Sequence, residues 1–507
     1  MISPRTRLIL FAIAGAALGL TLGVDVADES YGLASLVAIA ALWLVVGRVS
    51  EAAQEAWLLA VILVGYIVGN RGFAQLQATS QLPLLPAEAV LLVAVPALVF
   101  RIVMKKTWGF RRDNLNYLIL AWIIIASIRL PLDMSHYGAM ALRDYATIYY
   151  GVFFFIAQDL GGRGESSRLL RGAFTAAFVI LIPVVVSTLL WPDFLTEHLT
   201  FRGIPIIYHK SDLIATSLAA GFFWFWTRWE KSRRRAWLLA AAASLLLVGG
   251  MASPRAAMFA SAVTTALWLL SGRWRILVAQ AGIIAAGVVV SVAVIALSGR
   301  DIKTSAPYSM YEHAMSIFDP AGTGTYINGE SGDPGDNNRF RLVWWRDVIE
   351  DTIATNPLYG IGFGGDLSAR FLVDYDLISD ESFAARSPHN VVVTMIGRLG
   401  LIGLISWLAV MAGTGTMVWR LLSRGEPDGM GAASVACVVL LSACFGVVLE
   451  GPMGAVVFWT ALGLGNAWLH REAPAPAAPQ GPAEARHADD DWPVAKAGAM
   501  DTQSAPR

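Results

Sequence analysis

The 507-residue chain is short of charge and of cysteine. Charged residues make up only 15% of it, against about a quarter in ordinary globular domains. There are two cysteines, Cys437 and Cys444, both in one apolar segment. Seven residues of helix would separate them by roughly 10 Å, too far for a disulfide, so no disulfide framework is expected. No HExxH, no CxxC and no metal-type Cys/His spacing occurs, so no metal or other cofactor is expected. No internal repeat is evident, which counts against the inverted-repeat secondary transporters. The formal net charge of zero selects no partner, and no nucleic-acid partner is expected.

What the chain has in abundance is apolar sequence. Hydrophobic residues reach 56%, mean hydropathy is +0.56, and there are 18 tryptophans, a residue that anchors helices at membrane interfaces. Runs long enough to span a bilayer, about 17–25 residues, lie near 7–24, 31–47, 56–70, 84–101, 115–130, 145–160, 171–191, 211–227, 236–251, 255–271, 276–297, 390–419, 431–449 and 453–469. The expected fold is therefore all-α, a polytopic membrane protein of about fourteen spans. The basic start "MISPRTRLILF" leads into an apolar run with no convincing cleavage site, and reads as a first span rather than a removed signal.

Arginine and lysine orient the spans, because cytoplasmic loops carry the excess of both. With the N-terminus inside, the inner loops hold twenty of them, from Arg5 and Arg7 through the Arg228–Arg235 group to Arg420 and Arg424. The short outer loops hold six: Arg71, Arg129, Arg143, Arg202, Lys210 and Arg255. The expected organisation is spans 1–11 in residues 1–297, a long periplasmic loop over 298–388, spans 12–14 in 389–470, and a tail over 471–507. Both termini are expected in the cytoplasm, and the tail, rich in Pro and Ala, is too polar to fold.

The long loop opens on "DPAGTGTYINGESGDPGDNN" and then changes to "NNRFRLVWWRDVIEDTIATNPLYGIGFGG". Asn337 or Asn338 can cap a helix there. Leu342, Trp345 and Ile349, extended by Ile353, predict one apolar face. The Trp344–Trp345 pair suggests aromatics at headgroup level, and the glycines at 360, 362, 364 and 365 a flexible turn. "GIGFGG" lacks the strand and lysine of a nucleotide loop. After the loop, "ARSPHNVVVTMIGRLGLIG" places His389 and Asn390 at the mouth of an apolar segment, on its outer side.

These pieces together resemble the bacterial O-antigen ligase and O-antigen polymerase superfamily. The carriers are an Arg before a Trp-bearing helix and the "NPLYGIGFG" turn, "PHN" opening the next span, and the glycine spacing of "GRLGLIGL". "FRGIPIIYHKSDLIATSLA" and "ASPRAAMFA" resemble the family's earlier arginine-bearing segments, so the likeness covers roughly 200–405. The resemblance implies a membrane glycosyltransferase that uses neither metal nor nucleotide sugar. It would move a glycan from undecaprenyl pyrophosphate to an acceptor hydroxyl at the periplasmic face of the inner membrane. The acceptor would be a lipid A core sugar or another lipid-linked glycan, in lipopolysaccharide or exopolysaccharide synthesis, with polysaccharide-assembly partners possible. One position departs from the family: a glutamate often stands nine residues after the His, where this chain has Arg398. Two and a half turns away, Arg398 is expected to point away from His389, toward an anionic lipid.

His389 is accordingly the candidate general base, since an imidazole near pKa 6.5 takes a proton at neutral pH; the bland alternative is a helix-capping His. Asn390 is expected to orient His389 or the acceptor. Arg202, Arg255 and Arg341 are the candidate pyrophosphate ligands, because a guanidinium matches phosphate oxygens two at a time; each could instead be a snorkelling surface arginine. Arg255 follows Pro254 at a helix start, where anions are favoured. Arg339 could exchange roles with Arg341, and His209, Lys210 and Arg71 could assist. Arg143 and Asp144 could simply pair, and His136, His198 and His313 read as ordinary interfacial residues. Two rival classes stand beside the enzyme: a transporter or flippase of lipid-linked glycan, which would need charged or broken-helix sites within the bilayer, and a scaffold for polysaccharide assembly. Largely apolar span interiors favour the enzyme.

Overall fold

The computed structural model describes residues 52–76, 85–105, 110–251, 254–299, 301–319, 334–374 and 386–470. The expected spans at 7–24 and 31–47, the glycine-rich stretch and the tail lie outside the described residues. Those up to Leu469 belong to one compact unit.

The described elements are helices, apart from one two-stranded antiparallel hairpin, β1 (Thr200–Phe201) and β2 (Ile204–Pro205). The long helices are α1 (Gln54–Val68), α2 (Pro86–Lys105), α3 (Asn114–Tyr137), α4 (Val152–Gly161), α5 (Gly164–Leu190), α6 (Ser211–Ser232), α7 (Arg235–Val248), α8 (Arg255–Leu270), α9 (Arg275–Ser298), α10 (Ala306–Ile317), α11 (Pro334–Thr355), α12 (Val391–Arg424), α13 (Pro427–Ala443) and α14 (Pro452–Leu469). Every expected span among the described residues overlaps helix, although the one at 431–449 leaves helix after Ala443. Among the described residues, five helices are long and apolar enough to cross a membrane: α2, α3, α5, α9 and α12. The expected span at 145–160 is broken, with short helices at Ala139–Asp144 and Ala146–Tyr149 leading into α4.

The hairpin of α13 and α14 forms the centre. Nearly all of its residues are buried, and it is walled by α1, α4, α6, α8 and α12. The first half of α13, "PDGMGAASVA", is almost free of bulk, which lets neighbouring backbones approach where no hydrophobic force separates helix from lipid. By contrast, none of the spanning window of α9 is buried, so this helix lies at the periphery.

Basic residues of both expected loop sets are held by ion pairs and hydrogen bonds. Of the inner set, Arg171, Arg228 and Lys231 surround Asp428, and Arg101 binds both Glu55 and Asp159. Of the outer set, Arg71 lies over Tyr208, Lys210 joins the Asn70 turn through its backbone, and Arg129 reaches the carbonyls of Tyr359 and Gly360. Arg101, Glu55 and Asp159 also qualify the expectation of apolar interiors, because these charges are buried and stand as a paired network.

Two features of the loop region correct the sequence reading. Helix α11 buries Trp344 and Val348, with Phe340 partly buried against them, rather than the Leu342 face. Trp344 is 0% exposed, stacked on Phe371 and packed with Leu367 and Val393, whereas Leu342 and Ile353 are 42% and 62% exposed. Trp344 is thus a core residue, not a headgroup anchor. Asn338 lies within α11 and does not cap it.

The second feature is a break in α12. Gly400 has φ +63° and ψ −150°, a conformation open essentially to glycine alone. The segment 357–361 fills the break: Leu401 N–H donates to the Pro357 carbonyl at 2.9 Å, and Ile361 N–H to that of Gly397 at 2.7 Å. Gly360 faces Gly400 so closely that a Cβ on either would lie 2.6 Å from the other's nitrogen. Residues after the break suffice to cross a bilayer, about 36 Å at 1.5 Å per residue; those before it are enclosed by protein.

Candidate functional site

Helices α8 and α11 meet the α13–α14 turn around a cavity of about 240 Å³. Arg255, Asn338 and Arg341 supply its polar wall; Ala256, Phe259, Leu342, Trp345 and Phe445 supply the rest. Arg255 comes from the first residue of α8, and its Nη1 donates to Asn338 Oδ1 at 2.9 Å and to Ser316 Oγ at 3.4 Å. Arg341 comes from α11, one turn before Trp345, and its Nη1 donates to the Phe445 carbonyl at 2.8 Å. Among the described residues its buried Nε has no hydrogen-bond partner. Burial lowers its pKa, against the attraction of Asp212. A cationic end on an apolar aromatic slot suits a ligand that is anionic at one end and greasy at the other.

His389 lies beside this cavity. Its backbone is left-handed, φ +55°, unusual for a residue with a side chain, and its ring lies 5.6 Å from that of Trp344. Trp345 Nε1–H donates to the Pro388 carbonyl at 2.7 Å. Burial, then the positive charges of Arg341 and Lys210, push the imidazole pKa down to about 3. At neutral pH the ring is uncharged, with a lone pair free to accept a proton.

The remaining expected residues divide. Asn390 does not reach toward His389: its Oδ1 accepts from Val392 N–H at 2.9 Å and Val393 N–H at 3.3 Å, capping α12. His209 Nε2–H donates to the Val68 carbonyl at 2.9 Å and so ties the segment before α6 to α1. Lys210 pairs with Asp212 at 3.5 Å and faces His389 electrostatically. Arg71 lies over Tyr208. Arg202 occupies the exposed turn of the β-hairpin over Phe201, and is not among the cavity's lining residues. Arg339 is exposed, so it does not exchange with Arg341. His313, read as interfacial, is half-buried where the charge of Arg255 helps lower its pKa after burial.

Arg398 is a correction. It is buried, and its Nη2 pairs with Asp144 Oδ2 at 2.8 Å, while Nη1 donates to the carbonyls of Gly362 and Gly365. It touches protein, not lipid, and Asp144 pairs with it rather than with Arg143. The glycine turn is correspondingly held, not flexible: Phe363 N–H donates to Asp133, Gly364 N–H to Asp144, and Arg386 to the Gly364 carbonyl.

Glu450 was not singled out by sequence reasoning. It stands between α13 and α14, bonded to Thr394 and Ser387, and burial pushes its carboxyl up to about 7. The available signal was a carboxylate in a short turn on the same side as His389. Among the described residues, no group of three or more His, Cys, Asp or Glu is placed to hold a metal ion.

Helices long and apolar enough to cross a bilayer mark a membrane protein. Residues 250–408, which carry Arg255, Arg341 and His389, match the family model described as O-antigen ligase. The likeness of this region to the O-antigen ligase and polymerase superfamily is therefore shown, and it is a likeness to proteins that join glycans at membranes. No curated protein matches the chain.

Proposed function

We propose that the protein is a metal-independent glycosyltransferase that moves a glycan from undecaprenyl pyrophosphate to an acceptor sugar hydroxyl at the periplasmic face of the inner membrane, with both termini in the cytoplasm. The observation that carries this reading is the convergence of Arg255 and Arg341 on one aromatic-walled cavity beside a neutral His389. The arginines hold the pyrophosphate and offset the charge that grows on it as the bond breaks. Arg202, exposed ahead of Lys210, serves as an outer contact for the donor.

The acceptor hydroxyl gives its proton to His389 while its oxygen bonds to the anomeric carbon. The bond from that carbon to the pyrophosphate oxygen breaks, and undecaprenyl pyrophosphate leaves with the electron pair. Direct displacement inverts the anomeric configuration. Bound pyrophosphate also answers the charges of Arg341 and Lys210, which restores the basicity that they withhold in the free enzyme.

The break at Gly400 and the buried Arg398 favour a second reading, a transporter of lipid-linked glycan. Against it, the backbone groups freed at the break are bonded to residues 357–361, and Arg398 is paired. The test is turnover and donor affinity of purified protein in nanodiscs. His389→Ala should lose about 10²–10⁴-fold in rate and keep its affinity for undecaprenyl pyrophosphate. Arg255→Ala should lose both, and Arg255→Lys should recover only part, because ammonium lacks the fork. Normal turnover by His389→Ala sinks the enzyme assignment.

A further inference from the structure

A left-handed backbone at a residue with a side chain is strained and persists only where the surroundings hold it. His389 is such a residue. Asn390 is committed to capping α12, so the segment carrying the imidazole must be held by something else. On one side, Trp345 and Arg386 fix it through the Pro388 carbonyl and the Gly364 carbonyl. On the other, Ser387 Oγ lies 3.4 Å from Thr394 Oγ1, which donates to Glu450 Oε1 at 3.1 Å, and the Ser387 side chain also bonds Glu450.

Ser387 precedes His389 by two residues, and Thr394 lies one helical turn after Asn390, to whose carbonyl its own N–H donates at 2.8 Å. One carboxyl group therefore clasps both flanks of His389 from the turn between α13 and α14. We propose that Glu450 is a positioning residue for the transfer reaction: through Ser387 and Thr394 it holds the imidazole where the acceptor hydroxyl arrives. This rests on the role proposed for His389.

The charge of Lys210 acts on both His389 and Glu450, and that of Arg398 acts on Glu450 as well. Ionised, Glu450 offsets Lys210 and strengthens both hydrogen bonds it accepts; protonated, it can keep only some of them. Its carboxyl, pushed to about 7, makes that choice near neutral pH.

The experiment uses the full-length protein in nanodiscs, with lipid-linked glycan extracted from the source strain for turnover and undecaprenyl pyrophosphate for binding. Glu450→Ala should lower kcat roughly 10–100-fold, the cost of a misplaced reacting group, and leave donor affinity within about twofold of the wild type. Glu450→Gln, which keeps an acceptor oxygen for Thr394, should recover most of the rate and lose the rise in kcat through neutral pH that is expected of the wild type. The Glu450→Ala/His389→Ala pair should be no slower than His389→Ala alone, since there is then no base to position. Thr394→Val, which removes the same bond from the other side, carries the test if Glu450→Ala does not fold. Full activity in both variants, or losses that add in the double mutant, overturns the inference. A slow His389→Ala beside a normal Glu450→Ala sinks the positioning role alone, whereas a normal His389→Ala sinks the function it rests on.

Discussion

Replacing Arg398 with leucine should be among the most damaging single changes in the loop region, although Arg398 does not line the cavity of Arg255 and Arg341. The guanidinium is 4% exposed and its partner carboxyl, Asp144, is 12% exposed, so neither charge is well hydrated. Removing one member of such a pair leaves the other buried and uncompensated, typically about 3–5 kcal/mol. The carbonyls of Gly362 and Gly365 lose their donor as well, and a buried acceptor left without one costs about 1–3 kcal/mol. These terms overlap, and Asp144 keeps the Gly364 N–H, so the loss should fall at about 3–5 kcal/mol rather than at their sum. Unfolding of the purified protein in mixed micelles, titrated with a denaturing detergent, measures it. Arg398→Leu/Asp144→Leu should regain a large part of the loss, because an apolar pair replaces the lone charge. If Arg398→Leu is as stable as the wild type, or if the second substitution makes matters worse, the ion pair does not hold the turn as described.

Two further outcomes are expected. In a Cys437→Ala/Cys444→Ala background, a cysteine at exposed Glu350 should be labelled from the periplasm of intact cells, and one at Ser232 only after permeabilisation; the reverse would put His389 on the wrong side for its role. The pH profile should separate free enzyme from complex. An imidazole held at about 3 stays neutral, and able to accept a proton, far below the usual histidine range, so His389 contributes no fall in kcat/KM on acidification to pH 5. Bound pyrophosphate answers Arg341 and Lys210 and raises that pKa, so the acidic limb of kcat lies at higher pH than that of kcat/KM. Measured in Glu450→Gln, where the carboxyl near 7 no longer titrates, coincident limbs would show that the donor charge does not reach His389.

The apolar runs located the helices because length and hydropathy are local properties. The candidates Arg255, Arg341 and His389 each stand beside a helix start or a Trp-bearing segment, and the structure places Arg255 and Arg341 on one cavity with the charge of Arg341 acting on His389. The buried face of α11 was not: that helix carries apolar residues on two sides, and spacing alone does not say which side meets protein and which lines a cavity. Arg398 and Asp144 are an ion pair across distant sequence, visible only once α12 and the segment after α3 are in contact. Glu450 sat in a turn with no pattern around it, and the capping of α12 by Asn390, expected to orient His389 or the acceptor, shows only in its bonds to Val392 and Val393. The hairpin at Thr200–Pro205 and helix α10 are too short or too polar to register as apolar runs.

The break in α12 also bears on how the chain is made. A lone α12 entering lipid would carry unpaired N–H and C=O groups around Gly400, and bilayer hydrocarbon offers nothing to bond them. Their partners, Pro357 to Ile361, are synthesised earlier and, on the proposed topology, are already across the membrane when α12 arrives. The order of translation thus delivers the plug before the gap. Moving residues 334–374 to the far end of the chain would keep every native contact available and still leave α12 to insert unaided, so biogenesis should fail before catalysis is ever in question.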